Sequence, residues 1–362
     1  MIEIVGLLAG TRRSEATRGA PTPFDAPFVA EYARAYEAAG FDRVLIGQNA
    51  RSVDSLVMAT WAAAATDRLK LMIAHRPGFI APTMAARALA TLDQLSAGRA
   101  GVHIITAFSD AETRNDGDYL TKEQRYHRSR EYIGILRAMW GATAPIDHHG
   151  DFYRFEGALS EVRPVQPSLP IFWGGASDLG VRFGGELADV YALGPSSVAD
   201  IARQITAVKA VAATHGRAPR FSMSMRLVIA DTDAAAWQRA DHVLEAVVGN
   251  QQAQGLLGRD LGEAAQALIR RAASPTFTSD DPFLWTGLTA ATQGRTQVMC
   301  LVGSPDTLVQ ALSRYYRAGI DNFLITGFDN LADIARIGSD IAPGLRALAR
   351  AEPRGGLVHQ EG

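Results

Sequence analysis

Short apolar runs alternate with helix-spaced stretches along almost the whole chain. Ile2–Leu8 predicts a first strand. Phe28–Ala39 places Val29, Tyr32, Ala33, Tyr36 and Ala39 on one helical face and stops at Gly40. The alternation continues with strand Arg43–Ile46 and helix Asp54–Thr66, strand Leu69–Ala74 and helix Thr83–Leu95, strand Gly101–Thr106 and helix Thr121–Trp140. Ile171–Trp173, Val190–Leu193 and Ser222–Ala230 are three more strands, followed by helices Leu179–Leu187, Ser197–His215 and Asp233–Val247. A last helix, Asp306–Ala318, ends at Gly319 and feeds strand Asn322–Thr326.

About eight strands, most followed by a helix, is the number a closed parallel barrel needs. An open doubly wound sheet shares the same alternation. The barrel is favoured because no G-x-G-x-x-G follows the first strand and because the length suits a barrel with insertions. The expected class is therefore an α/β protein with a (β/α)8 TIM barrel, a single domain over residues 1–351. Ile146–Pro170 is one insertion, with Gly150–Gly157 alternating between turn signals like a small hairpin. The second, Asn250–Gln297, has the length of a lid or a plain surface excursion. The polar segment Glu352–Gly362 reads as a mobile tail.

Composition narrows the function classes. The chain is 47% hydrophobic and 20% charged, and its net charge of −2 gives no electrostatic case for nucleic acid or an anionic membrane. The longest apolar runs, such as Leu56–Ala65, are too short to span a bilayer, and the N-terminus lacks the build of a signal peptide. A cytoplasmic location is expected. The single Cys300 lies in an apolar run and excludes an intrachain disulfide.

Chemistry in a barrel belongs to the strand ends. The sharpest end is Ile171-Phe-Trp-Gly-Gly-Ala-Ser177, where glycines precede a helix start. Backbone amides can approach a ligand closely there, and the helix N-terminus favours an anion. Such a turn equally serves only to reverse the chain. His75-Arg76-Pro77 joins a base, a cation and a rigid turn. Asn49 closes the second strand end, and Tyr126 opens the long helix, either toward a ligand or packed on the barrel. Arg226 interrupts the apolar strand Met223–Ile229. A guanidinium there needs an anion, and a bound ligand or a carboxylate of the protein would serve. His148-His149 reads as a solvated turn.

Several segments together resemble the bacterial luciferase-like flavin monooxygenases, and within them the alkanesulfonate monooxygenase group. They are Gly40–Ile46 with Arg51-Ser52; Leu69-Lys-Leu with Arg76-Pro77; Pro82–Arg99, ending Leu-Asp-Gln-Leu-Ser-Ala-Gly-Arg99; Glu123–Tyr126; Gly150–Tyr153; Trp173–Asp178; and Gly319–Gly327. The resemblance implies reduced FMN (FMNH2) as cofactor, supplied by a separate NAD(P)H:FMN reductase, and O2 as co-substrate through a C4a-(hydro)peroxyflavin. It implies that Gly174, Gly175, Ala176 and Ser177 hold the flavin phosphate with Tyr126 nearby. Thr106 would lie beside the ring, and the Ala74-His75 strand end, bulged or carrying a non-proline cis bond, would support it. A homodimer or homotetramer is also implied.

The substrate side departs from that group. A cysteine after the Arg-Ser pair is replaced by Val53. An Arg-x-His pair on the seventh strand aligns to Ser224 and Arg226. A tyrosine and a histidine after the eighth strand align to Phe328 and Asn330, and Arg295 stands near a lid arginine. The expected substrate is a small organic molecule, an organosulfonate or related organosulfur compound cleaved at C–S. Arg226, Arg295, Phe328 and Asn330 are expected to bind it, and Arg226, Asn49 and His75 are the catalytic candidates. A deazaflavin F420-dependent oxidoreductase, a flavin enzyme for a non-sulfur substrate and a non-catalytic flavin-binding protein remain open alternatives.

Overall fold

The computed structural model describes residues 2–17, 24–106, 110–253, 282–292 and 299–353. Its centre is a closed barrel of eight parallel strands: β1 (Glu3–Leu8), β2 (Arg43–Ile46), β3 (Lys70–His75), β4 (Ala100–Ile104), β7 (Ile171–Gly174), β8 (Val190–Leu193), β9 (Arg220–Ile229) and β12 (Asn322–Thr326), with β12 returning to β1. All eight expected strands are present and close the TIM barrel.

Helices α1 (Ala26–Ala38), α2 (Ser55–Ala64), α3 (Pro82–Leu95), α5 (Lys122–Gly141), α6 (Asp178–Leu187), α7 (Val198–Thr214) and Pro305–Ala318 surround it. Their starts follow local chemistry. Asp25, Asp54, Thr121, Ser177, Ser197 and Ser304 each accept a first-turn amide with the side chain. Thr121 and Gln124 form a reciprocal capping box on α5.

Strand register fixes which side chains enter the barrel. Val5, Met72, Phe172 and Val190 form one inner cluster, while alternate residues such as Ile4, Ile73, Val102 and Ile171 pack outward against the helices. The inner column of β4 is therefore Gly101 and His103, and that of β9 is Arg220, Ser222, Ser224 and Arg226. Below the middle layer, Arg43 reaches Glu3 at 3.5 Å and Lys70 reaches it at 2.9 Å.

The segment Leu-Asp-Gln-Leu-Ser-Ala-Gly-Arg99 stitches the opposite end of the barrel from the strand C-termini. Ala97 (φ 53°) and Gly98 (φ 82°) turn the chain back after α3. Asp93 is fully buried and accepts from the amides of Ala100, Val165 and Gln166 and from Gln166 Nε2. Arg99 donates to the carbonyls of Ala63, Thr66, Leu69 and Ser96 and to Thr66 Oγ1.

Several elements differ from expectation. The hairpin strands are β5 (Ile146–His149) and β6 (Arg154–Ala158), so Gly150–Tyr153 is the reversal rather than part of a strand. His148 thus lies in β5, not in a solvated turn, and its Nε2 sits 2.9 Å from Glu131 Oε1. Helix α8 (Asp233–Ala253) runs past Val247 into the segment expected to begin the lid, since no proline stops it. Most of the remaining lid stretch lies outside the described residues. The described parts carry β10 (Leu284–Trp285), which pairs antiparallel with β11 (Cys300–Gly303). β11 was not expected as a strand. It lies parallel to the outer half of β9, from Arg226 to Ile229. A short helix α4 (Asp110–Asn115) and the C-terminal helices Asn330–Arg336 and Ala342–Ala351, joined by a π turn, were also unforeseen. Glu352 is tied down by Arg317 at 2.9 Å, and residues 354–362 lie outside the described residues. Among the described residues no helix is long and apolar enough to cross a membrane.

Candidate active site

The strand C-termini converge on two features, a glycine turn and a polar cavity. At the turn, β7 ends in Gly174 and Gly175 takes φ 150°, where a side chain is strained. A Cβ on Gly175 would stand 3.3 Å from Tyr126 Oη, and one on Gly174 would stand 3.1 Å from Ala192 O. The Tyr191 hydroxyl donates to the Gly175 carbonyl and fixes the turn. Ser177 caps α6, accepting from the Gly180 amide at 3.3 Å, and its Oγ lies 3.5 Å from Tyr126 Oη.

Two hydroxyls, glycines without side chains and the first-turn amides of a ten-residue helix thus meet in one place. That donor set fits a phosphate. Tyr126 is itself buried against Trp173 and Phe183, so its ring packs on the barrel while its hydroxyl reaches the turn.

Thr106 follows β4, and its carbonyl accepts from Arg125 Nε at 2.9 Å. Arg125 is buried and also donates to Leu120 O and Asp110, so it sets the shape of this strand end. Arg125 was not singled out in the sequence, because polar residues are spread around α5 and nothing local marks this one as buried. Ala74 is buried, and its carbonyl accepts from Ser55 Oγ at 2.6 Å. The expected irregularity there is not found. Ala74 and His75 keep register with His103 and Ile104, and the peptide bonds are trans among the described residues.

His75, a catalytic candidate in the sequence, lies at the end of β3. Its register partner Ile104 faces the helices, and so does His75, with its Nε2 2.8 Å from Tyr132 Oη. Burial lowers its pKa to about 4, against a small opposing effect of Asp54, so the ring is neutral at ordinary pH. Arg76 is buried and paired with Glu112 and Asp116. Asn49 is exposed and shapes its own turn, its Oδ1 accepting from the Arg51 amide at 2.8 Å.

A histidine that the sequence reading missed, His103, is the one turned into the barrel. Its Nδ1 has no partner, and burial holds its pKa at about 4. The signal was a lone imidazole among apolar residues in the middle of a strand.

The second feature is a cavity of about 230 Å³ at the ends of β1, β9 and β12, lined by Arg13, Glu15, Tyr32, Arg226, Thr326 and Asn330 among others. Arg226 Nη2 pairs with Glu15 Oε1 at 2.5 Å, Nη1 donates to Gly327 O at 2.9 Å, and the guanidinium lies 5.0 Å over the Phe328 ring. Phe328 is buried beneath it, while the buried Nδ2 of Asn330 has no partner. A smaller cavity of about 140 Å³ adjoins, sharing Leu7, Arg226 and Thr326 and adding Ser224 and Met299. Arg295 lies outside the described residues. A larger groove of about 600 Å³ lies away from the strand ends, between α5 and the β5–β6 hairpin.

A closed parallel barrel with a glycine turn and a polar cavity at its strand ends defines an α/β-barrel protein. The family model for luciferase-like monooxygenases matches residues 4–322, and the chain belongs to that family. The fold is similar to that of riboflavin lyase (RcaE), solved with modified FMN and riboflavin, at 20% identity over 96% of this chain and 91% of that one, TM-score 0.77. It is similar to EDTA monooxygenase (EmoA) from Chelativorans sp. BNC1 at 20% identity over 96% and 94%, TM-score 0.75. It is also similar to the coenzyme F420-dependent tetrahydromethanopterin reductase from Methanopyrus kandleri, at 18% identity over 95% and 99%, TM-score 0.71.

Proposed function

We propose that the chain is a two-component monooxygenase. It takes reduced FMN from a separate NAD(P)H:FMN reductase and uses O2 to oxidise a small organosulfur compound, an organosulfonate above all, at its C–S bond. The observation that carries this reading is the turn Gly174–Ser177 facing Tyr126 at the start of α6, in a chain of this family. Gly174, Gly175, Ala176 and Ser177, with the Tyr126 hydroxyl, would hold the phosphate. Thr106 and Ala74 would line the ring. When bound, reduced FMN supplies the electrons that activate O2.

The protein contributes placement and shelter. Arg226 presents a planar fork suited to a sulfonate or carboxylate, and Phe328 holds that fork from below. Asn330 lines the same cavity.

The relative that uses F420 supports a second reading, a deazaflavin-dependent oxidoreductase. Titration separates the two. The purified chain is expected to bind reduced FMN more tightly than oxidised FMN, to ignore F420, and to leave NAD(P)H unoxidised without an added reductase. Tight F420 binding, or robust NAD(P)H oxidation by the isolated chain, would reject the proposal.

A further inference from the structure

Arg226 already holds a carboxylate. Glu15 belongs to the strap that follows β1, and it reaches Arg226 across 211 residues of sequence. Among the described residues the strap is also held by Arg12, which pairs with Glu31 and lies 4.7 Å over the Phe28 ring, and by Ala16, which packs against the cluster containing Val228 and Phe328. Ser14 and Thr17 bond each other, and Asn250 of α8 donates to the Glu15 carbonyl at 2.9 Å. Glu15 is more than one-third exposed, whereas Arg226 is 16% exposed. The buried partner is thus fixed by Gly327 and Phe328, and the acid is the more exposed side of the pair. Beneath lies the 230 Å³ cavity, which Asn330 also lines. Arg226 also borders the adjoining cavity, so it stands at the junction of the two.

We propose that Glu15 is an internal competitor for the anionic group of the ligand: its carboxylate holds Nη2 of Arg226 until an incoming sulfonate or carboxylate displaces it. A ligand for this site must then outbid a tethered acid. Tethering gives Glu15 a high effective concentration, so weak single-point anions are turned away. Ligands that bond Nη2 and add contacts elsewhere in the cavity are admitted. The consequence is selection by geometry rather than by charge alone. A latch closed about nine-tenths of the time weakens the apparent affinity of an anion about tenfold.

This inference rests on the reading that the substrate occupies the Arg226 cavity, but not on the identity of the cofactor. The test is therefore run without flavin. Butanesulfonate and butyrate are titrated calorimetrically into the full chain, with butyramide as the uncharged control. Glu15→Gln keeps the size and one acceptor of the side chain while removing its charge. It is expected to bind both anions about tenfold more tightly than the natural chain, with butyramide unchanged. Arg226→Met is expected to bind neither anion. Equal or weaker anion binding by Glu15→Gln, no anion binding by that variant at all, or a gain shared by butyramide would overturn the proposal. Loss of reduced-FMN binding in a separate titration would instead count against the cofactor reading alone.

Discussion

Ser177 does two jobs with one hydroxyl. It caps α6 through the Gly180 amide and lies within reach of Tyr126 at the glycine turn. Ser177→Ala removes both. Loss of the cap is expected to lower stability by about 1 kcal/mol. Loss of a charge-assisted donor to a phosphate, about 1.5–3 kcal/mol, is expected to weaken FMN binding roughly tenfold or more. Riboflavin lacks the phosphate, so its affinity should hold. Parallel titrations of both ligands check this, and equal weakening would move the phosphate elsewhere. The turn was legible because glycines, a hydroxyl and a helix start are adjacent in the chain. Arg226 was legible only as a need. An arginine in an apolar strand must find an anion, but nothing local identifies Glu15 as its partner. The orientation of His75 was hidden for a related reason. Its chemistry is visible in sequence, whereas the direction it faces depends on strand parity, and one step along β3 turns a residue from lumen to helix layer.

At the scale of elements, the most recognisable segment of the chain turns out to be scaffold. Asp93 accepts four hydrogen bonds from the turn before β4 and from the segment entering β7. Asp93→Ala would leave those donors unmatched inside the protein and is expected to destabilise it by about 3–5 kcal/mol. Chemical denaturation measures that loss. FMN affinity per folded molecule should stay unchanged, because the knot is at the far end of the barrel. Strands and their helices were readable because period and caps are local signals. β11 was not. Its apolar run around Cys300 also suits a generic core segment, and only the exposed outer edge of β9 makes it a strand. Helix α4 is too short for a periodic signal, and the helices after Asn330 follow the last expected strand, where the barrel pattern no longer guides the reading.

At the scale of the molecule, acid is the expected weakness. His75 is neutral in the folded chain down to about pH 4, whereas an unfolded histidine protonates near 6.5. Between those values the unfolded chain binds a proton that the folded one refuses. Stability from this residue is therefore complete above about pH 6.5 and falls as pH drops toward 4, by on the order of 3 kcal/mol. Melting temperatures of the natural chain and of His75→Gln, compared across that window, should converge as pH falls. A constant gap would show that His75 contributes nothing to acid sensitivity. The outer surface carries a second expectation. Val57 and Trp61 on α2 and Met84 and Leu95 on α3 are exposed large apolar side chains on neighbouring helices. They support the proposal of a homodimer or homotetramer. Sedimentation should show an assembly that Val57→Glu with Met84→Glu disperses, and a monomeric natural chain would refute it.

The pairing of β1 with β12 has a consequence for how the protein is made. Glu3 lies beside Asn322, so the first barrel strand to be made waits for the last before its free edge is covered. At ordinary synthesis rates of roughly 5–20 residues per second that wait is on the order of tens of seconds. Throughout it, β1 presents unpaired backbone groups beside a hydrophobic face, the condition under which chains join the wrong neighbour. Translation speed and chaperone supply, more than the stability of the finished barrel, should therefore govern how much of this protein a cell recovers in folded form.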